Sequence, residues 1–370
     1  MERLKQLILE LTNLPGNVGY EDKVIEYLIE DIGDQYEISL DILGNMTVRL
    51  TPHNIGKQKV MLFGHMDEVG MMVNHIDERG FIHCEKLGSL NPTCLAGLKL
   101  ELHGEKGPVN GVVGVKSHHL AKQKEGKTQE NARDYYLDIG ATSREEVLNA
   151  GIDIGSPVTF KPQFLELTGK CIANKAMDDR ALLGILIYLI ENLPMEKLNV
   201  DLYLVFSVQE EFNTRGIMPT VREIDPEIVI GLDVTPATDT PDLLGLSEIK
   251  LGNGPALTYM NHHSRGTLAG IVPNKQFLSY LEDIGKKAGI SMQREVATGI
   301  LTETAYIAIE SNRTVVANIS LPTRYTHTPI EVINLDDALR IYQLLAEFLN
   351  SLNGTQSFGK NIDFERSENR

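Results

Sequence analysis

The sequence predicts an α/β fold: a doubly wound, mostly parallel sheet with a smaller β-rich unit inserted into it. Three observations carry this. Strands alternate with helices on both sides of a central segment, and the strands are continuous apolar runs of the kind buried on both faces. Between about residues 72 and 165 the texture changes to short alternating runs punctuated by Gly and Pro. At 370 residues the chain has room for two domains. The expected division is a discontinuous α/β body over 1–71 and 166–352, an insert over 72–165 and a polar, frayed tail over 353–370.

In order along the chain, Leu4, Leu7, Ile8 and Leu11 recur at helical spacing, and Pro15-Gly16 ends that helix. A second helix is expected over 21–32, then a strand segment over 37–50 with a turn signal at Gly44-Asn45. KVMLFG (59–64) reads as a buried strand. Within the insert, KQKEGKTQENARD is expected to be an exposed loop. After it come an apolar helix over 181–193, strands over 200–208 and 227–232, a helix over 278–290, a strand over 314–321 and a closing helix over 335–352.

Composition narrows the function. A net charge of -16 argues against a nucleic-acid partner, whose phosphates call for a basic face, and against an anionic membrane surface. Three cysteines, Cys84, Cys94 and Cys171, make neither a disulfide framework nor a CxxC zinc site. No apolar stretch approaches a membrane span or a secretory signal, so the cytoplasm is the expected compartment.

Ligands of open α/β sheets gather at the carboxyl ends of the strands. The 59–64 run leads into His65 and Asp67, the 200–208 run into Glu210-Glu211, the 227–232 run into Asp233 and the 314–321 run, after a loop, into His327. Asp178-Asp179 sits just before the apolar helix. Each has an ordinary role open to it: Asp178-Asp179 as a helix N-cap, Glu210-Glu211 as a solvated face, His65 as a bonded core histidine. Together they form one ligand set. Two imidazoles and three carboxylates, with no thiolate, suit zinc, cobalt or manganese. A bridging carboxylate would let His65, Asp178, Glu211, Asp233 and His327 hold two ions and an activated water. Glu210 is the candidate proton shuttle.

Six segments carry a resemblance: DILGN (41–45), GHMDEVGMMV (64–73), KAMDDRALLG (175–184), VQEEFNTRG (208–216), LDVTPATDTP (232–241) and RYTHTPIEV (324–332). With DIGATSREEVLNAGIDIGSPV (138–158), they resemble the tetrahedral aminopeptidases, family forty-two of the metallopeptidases, some of which once carried cellulase or endoglucanase names. The resemblance implies a zinc-exopeptidase-like catalytic domain and an inserted dimerisation domain. It implies His65 as an imidazole ligand oriented by Asp67, Asp178 as the carboxylate bridging both metals and followed by a cis peptide bond, and Glu210 as general base. It further implies Glu211 and His327 as ligands, and Asp233 as a ligand whose ion the sequence leaves open. Substrates would be peptides with a free N-terminus, and dimers would assemble into a hollow dodecamer. Where relatives carry GGTDA this chain has GILTETA, and Asn213 stands where they tend to carry Gly. Glu303, if it faces the substrate, would favour basic first residues.

Three other readings remain open at this level: a deblocking peptidase or aminoacylase on the same scaffold, a two-carboxylate glycoside hydrolase, which needs no metal, and a catalytically dead binding protein.

Overall fold

The computed structural model describes residues 1–51, 54–117, 119, 132–263, 266 and 268–359. Helices α1 (Glu2–Asn13) and α2 (Asp22–Ile32) bury Leu4, Leu7, Ile8 and Leu11, and Val24, Leu28 and Ile32, on one stripe each. The turn between them needs Gly16, because a Cβ there would lie 2.3 Å from Nη2 of the buried Arg180. A hairpin, β1 (Glu37–Leu40) and β2 (Met46–Arg49), turns at Gly44 with φ +103. Strand β3 (Lys59–His65) follows.

Strands β4 (Gly70–Ile76), β5 (Ile82–Leu87), β6 (Lys99–Gly104), β7 (Gly107–Val113), β8 (Leu137–Asp138) and β9 (Pro157–Phe160) close a barrel in the order β4-β5-β8-β7-β6-β9. It has its own apolar core, with Val73, Leu100, Leu102 and Val158 fully covered. A short helix, α3 (Arg144–Asn149), capped by the Ser143 hydroxyl, lies within this otherwise β segment. Most of the KQKEGKTQENARD stretch lies outside the described residues.

The α/β pattern then resumes with β10 (Leu165–Glu166), β11 (Cys171–Asn174), α4 (Met177–Asn192), β12 (Asp201–Ser207), α5 (Met218–Ile224) and β13 (Ile228–Pro236). Next come β14 (Ala256–His262), β15 (Gly270–Ile271), α6 (Lys275–Lys287), β16 (Gln293–Thr298) and α7 (Thr304–Glu310). The chain closes with β17 (Val315–Arg324), β18 (Glu331–Asn334) and α8 (Leu335–Ser351).

The centre of the large sheet is parallel: β12, β3, β13 and β17 lie side by side, with Leu204 and Ile230 both in register with Leu62. Its margins are antiparallel, β2 against β12 on one side and β18 and β11 beyond β17 on the other. Alternate residues of β3 enter opposite cores. Val60 and Leu62 join the large core that includes α1, α4 and α8, whereas Met61 and Phe63 pack with Val221 of α5 and Ala305 and Ile307 of α7. Helices α5 and α7 and strands β14 to β16 are elements the sequence pattern left unassigned; each is short or only partly apolar. Past α8, in the stretch read as a frayed tail, Phe358 is buried with its ring 4.8 Å from that of Phe277.

Candidate active site

All the nominated ligands meet at the carboxyl end of the parallel strands. His65 is the last residue of β3, Asp233 lies in β13, Glu210-Glu211 follow β12, and His327 lies in the turn between β17 and β18. Asp178 stands at the entrance to α4, ahead of the regular helical turns, and its peptide bond to Asp179 is cis. The two oxygens of Asp178 face different imidazoles. Oδ1 is 3.1 Å from His65 Nε2 and Oδ2 is 3.3 Å from His327 Nε2. Glu211 Oε1 lies 3.4 Å from the same His327 nitrogen. Ligand atoms thus form two groups sharing one residue: His65, Asp178 and Asp233 within 4.8 Å of one another, and likewise Asp178, Glu211 and His327. Glu210 lies beside the first group, its Oε2 4.0 Å from His65 Nε2.

Other carboxylates hold this cluster in place. Asp67, fully buried, accepts the backbone N–H groups of Glu210 and Glu211, each at 3.0 Å, while His65 Nδ1 faces its carbonyl at 3.1 Å and its carboxylate at 3.5 Å. One side chain therefore sets both an imidazole and the double-glutamate loop. Asp179 accepts the His65 N–H at 3.0 Å. Glu331, which the sequence reading passed over, accepts the Asp178 N–H at 3.0 Å and the His327 N–H at 2.7 Å. Its signal was an acid directly ahead of the apolar pair Val332-Ile333 in the fully buried strand β18.

Glu303 is not where a substrate-facing acid would be. It is 1% exposed; one oxygen accepts the Ser207 hydroxyl at 2.6 Å and the other the Ile217 N–H at 2.9 Å. The expectation that it selects basic residues is therefore corrected: its carboxylate is spent fastening the 208–217 loop. Asn213 takes φ +71, a left-handed conformation that Gly adopts freely and that Asn tolerates better than most other residues.

The electrostatics call for cations. Burial pushes Glu210 and Asp233 well above the ordinary carboxylate range, with the charges of Asp233 and Glu211 adding to it at Glu210 and those of Asp178 and Glu211 at Asp233, and burial pushes Glu211 up to about 7. Burial opposes charge on Asp178 too, but hydrogen bonds to His327 and His65 outweigh it and hold it low. For His327, burial is outweighed by Glu211 and Asp178, which raise it to about 10. A nest of buried acids facing two imidazoles, with Glu211 Oε1 3.4 Å from His327 Nε2 but in no hydrogen bond, is chemically suited to divalent metal. A cavity of about 420 Å³ opens over it, lined on the other side by residues of β13 and the 299–306 segment.

Comparisons agree with this geometry. The family model for M42 glutamyl aminopeptidases matches residues 44–344. The chain is 39% identical to the SgcX protein of Escherichia coli K12 over 329 residues, 88% of each chain. It is 32% identical to the lysyl aminopeptidase of Pyrococcus furiosus over 364 residues, 95% of this chain and 99% of the other. Among solved structures, the Pyrococcus horikoshii TET1 peptidase, which can assemble into a tetrahedron or a large octahedral shell, superposes with a TM-score of 0.82 at 27% identity, covering 95% of this chain and 99% of that one. A match of this extent shows that the chain belongs to the M42 aminopeptidase family and is a metal-dependent aminopeptidase.

Proposed function

We propose that this enzyme removes single residues from the free N-terminus of peptides, using two divalent cations and Glu210 as general base. The observation that carries the reading is the position of Asp178, whose two oxygens each face a different imidazole. His65 and Asp233 would hold one cation, Glu211 and His327 the other, with Asp178 shared. Such a pair supplies Lewis acidity to the scissile carbonyl and lowers the pKa of the attacking water. Glu210 takes that proton and returns it to the leaving amine. Asp67 keeps Glu210 and Glu211 aimed by gripping both backbone N–H groups. The carboxylates facing the cavity give the peptide's α-ammonium a favourable end to enter. The donor set, nitrogen and oxygen without sulfur, favours zinc or cobalt, with manganese also suited.

The same reading makes the barrel a dimerisation domain and the assembly a dodecamer. Its support is the shell-forming TET1 relative and exposed apolar side chains on the barrel segment, Val112, Val115 and Ile154 among them. A cytoplasmic location is in keeping with three unpaired cysteines. No helix among the described residues is long and apolar enough to cross a membrane.

The test is hydrolysis of aminoacyl anilides with chelator and then with zinc, cobalt or manganese restored. Activity should vanish with chelator and return with metal. Cleavage only of N-acylated substrates would move the assignment to a deblocking or aminoacylase activity, and chelator-resistant cleavage of cellulose to a glycosidase.

A further inference from the structure

The cavity over the site is divided by charge. On one side stand Asp178, Glu210, Glu211 and Asp233. Uncharged residues line the rest of its wall: Ile300, Leu301, Thr302 and Tyr306, with Pro236 and Ala269, whereas the Val234 side chain joins the large core. Leu301 is itself packed against the core beneath α5 and α7, so this wall is backed by fixed side chains. Among the described residues, no Lys or Arg lines the cavity.

Two acids near this wall could have made it a pocket for basic side chains, and both are committed elsewhere. Glu303 gives its oxygens to Ser207 and Ile217. Glu295, 3% exposed, is bonded to the hydroxyls of Thr235 and Thr258. A lysyl or arginyl side chain laid along the wall would lose its water, while the carboxylates that do line the cavity, Asp178, Glu210, Glu211 and Asp233, are the ones assigned to the cations and the general base. A glutamyl side chain would meet His263 as the one basic group on this wall among the described residues, so an acidic first residue is the alternative to exclude.

From this juxtaposition we propose that the residue this enzyme removes is uncharged and aliphatic, its side chain lying against Ile300 and Leu301 while its α-amine faces the carboxylates. The proposal rests on the aminopeptidase reading and specifies the substrate class of that site.

The experiment measures kcat/KM of the metal-loaded enzyme on Leu, Met, Ala, Lys and Glu p-nitroanilides. Leu or Met should lead, with Lys and Glu lower by on the order of 100-fold, since an unpaired buried charge costs more than a missing methylene. A companion variant, Ile300→Glu, should raise the Lys-to-Leu ratio by about 10-fold or more by giving the wall a carboxylate. Lys or Glu leading, or similar rates on all five, overturns the proposal and leaves the aminopeptidase standing. A soluble Ile300→Glu enzyme with an unchanged ratio overturns it too, because the wall then does not touch the first side chain. No cleavage of any free-amine anilide with metal bound overturns the aminopeptidase reading and this one with it.

Discussion

On the proposed reading Asp178 is the ligand shared by two cations and Glu210 the general base, and substitution separates these roles. Asp178 lies between His65 and His327, where a shared ligand belongs, whereas Glu210 stands 4.0 Å from His65 on the cavity side. Glu210→Gln keeps the shape and removes the base. Metal content should stay at the parent level while kcat falls by about 100-fold or more, the scale of losing a general base. Metal analysis alongside steady-state kinetics checks this, and loss of metal together with activity would make Glu210 a ligand instead.

At the scale of elements, the parallel strands deliver His65 and Asp233, but the 208–217 loop delivers the glutamates and depends on its fastenings. Gly216 is required there, because a Cβ would lie 1.5 Å from the Val208 carbonyl. Glu303, at the start of α7, ties both ends of the loop through Ser207 and Ile217. Burial pushes its carboxyl from an ordinary 4.5 up to about 7, so the folded state binds this proton more tightly than the unfolded chain. Its contribution is therefore fully present below about pH 4.5 and is lost as pH rises toward 7. Denaturant titrations should show Glu303→Gln flattening the fall in stability between pH 5 and 7. Glu303→Ala, which leaves a buried N–H and hydroxyl without an acceptor, should cost about 1–3 kcal/mol at pH 5. An unchanged pH slope in the Gln variant would remove Glu303 from that window.

For the whole molecule, barrel and α/β body are joined by polar contacts that also run close to the site. Asn17 Nδ2 donates to the carbonyls of Met71 and Val158 in barrel strands β4 and β9, and Lys175, fully buried, pairs at 2.6 Å with Glu68 in the segment that leads into the barrel. A closed barrel has no free strand edge to offer, so association through it would rely on side chains such as Val112 and Val115. Light scattering should give about twelve times the mass of the chain. Replacing Val112 and Val115 with Lys should shift the mass to smaller species, and an unchanged mass would place the contact elsewhere.

What the sequence determined by itself was chemical: strands that are apolar throughout must be buried on both faces, and the acids and histidines that end them fall at one sheet edge wherever the sheet is parallel. His65, Asp67, Glu210, Glu211, Asp233 and His327 were legible for that reason, Asp178 by its place ahead of an apolar helix and by the resemblance, and the folded chain brings them together. The antiparallel margins, α5, α7 and the burial of Phe358 were not, because short elements and single side chains take their places from packing rather than periodicity. Glu303 and Glu331 show the limit most sharply. An acid's type says that it needs partners, but only the tertiary structure decides whether those partners are a substrate, a metal or two backbone N–H groups.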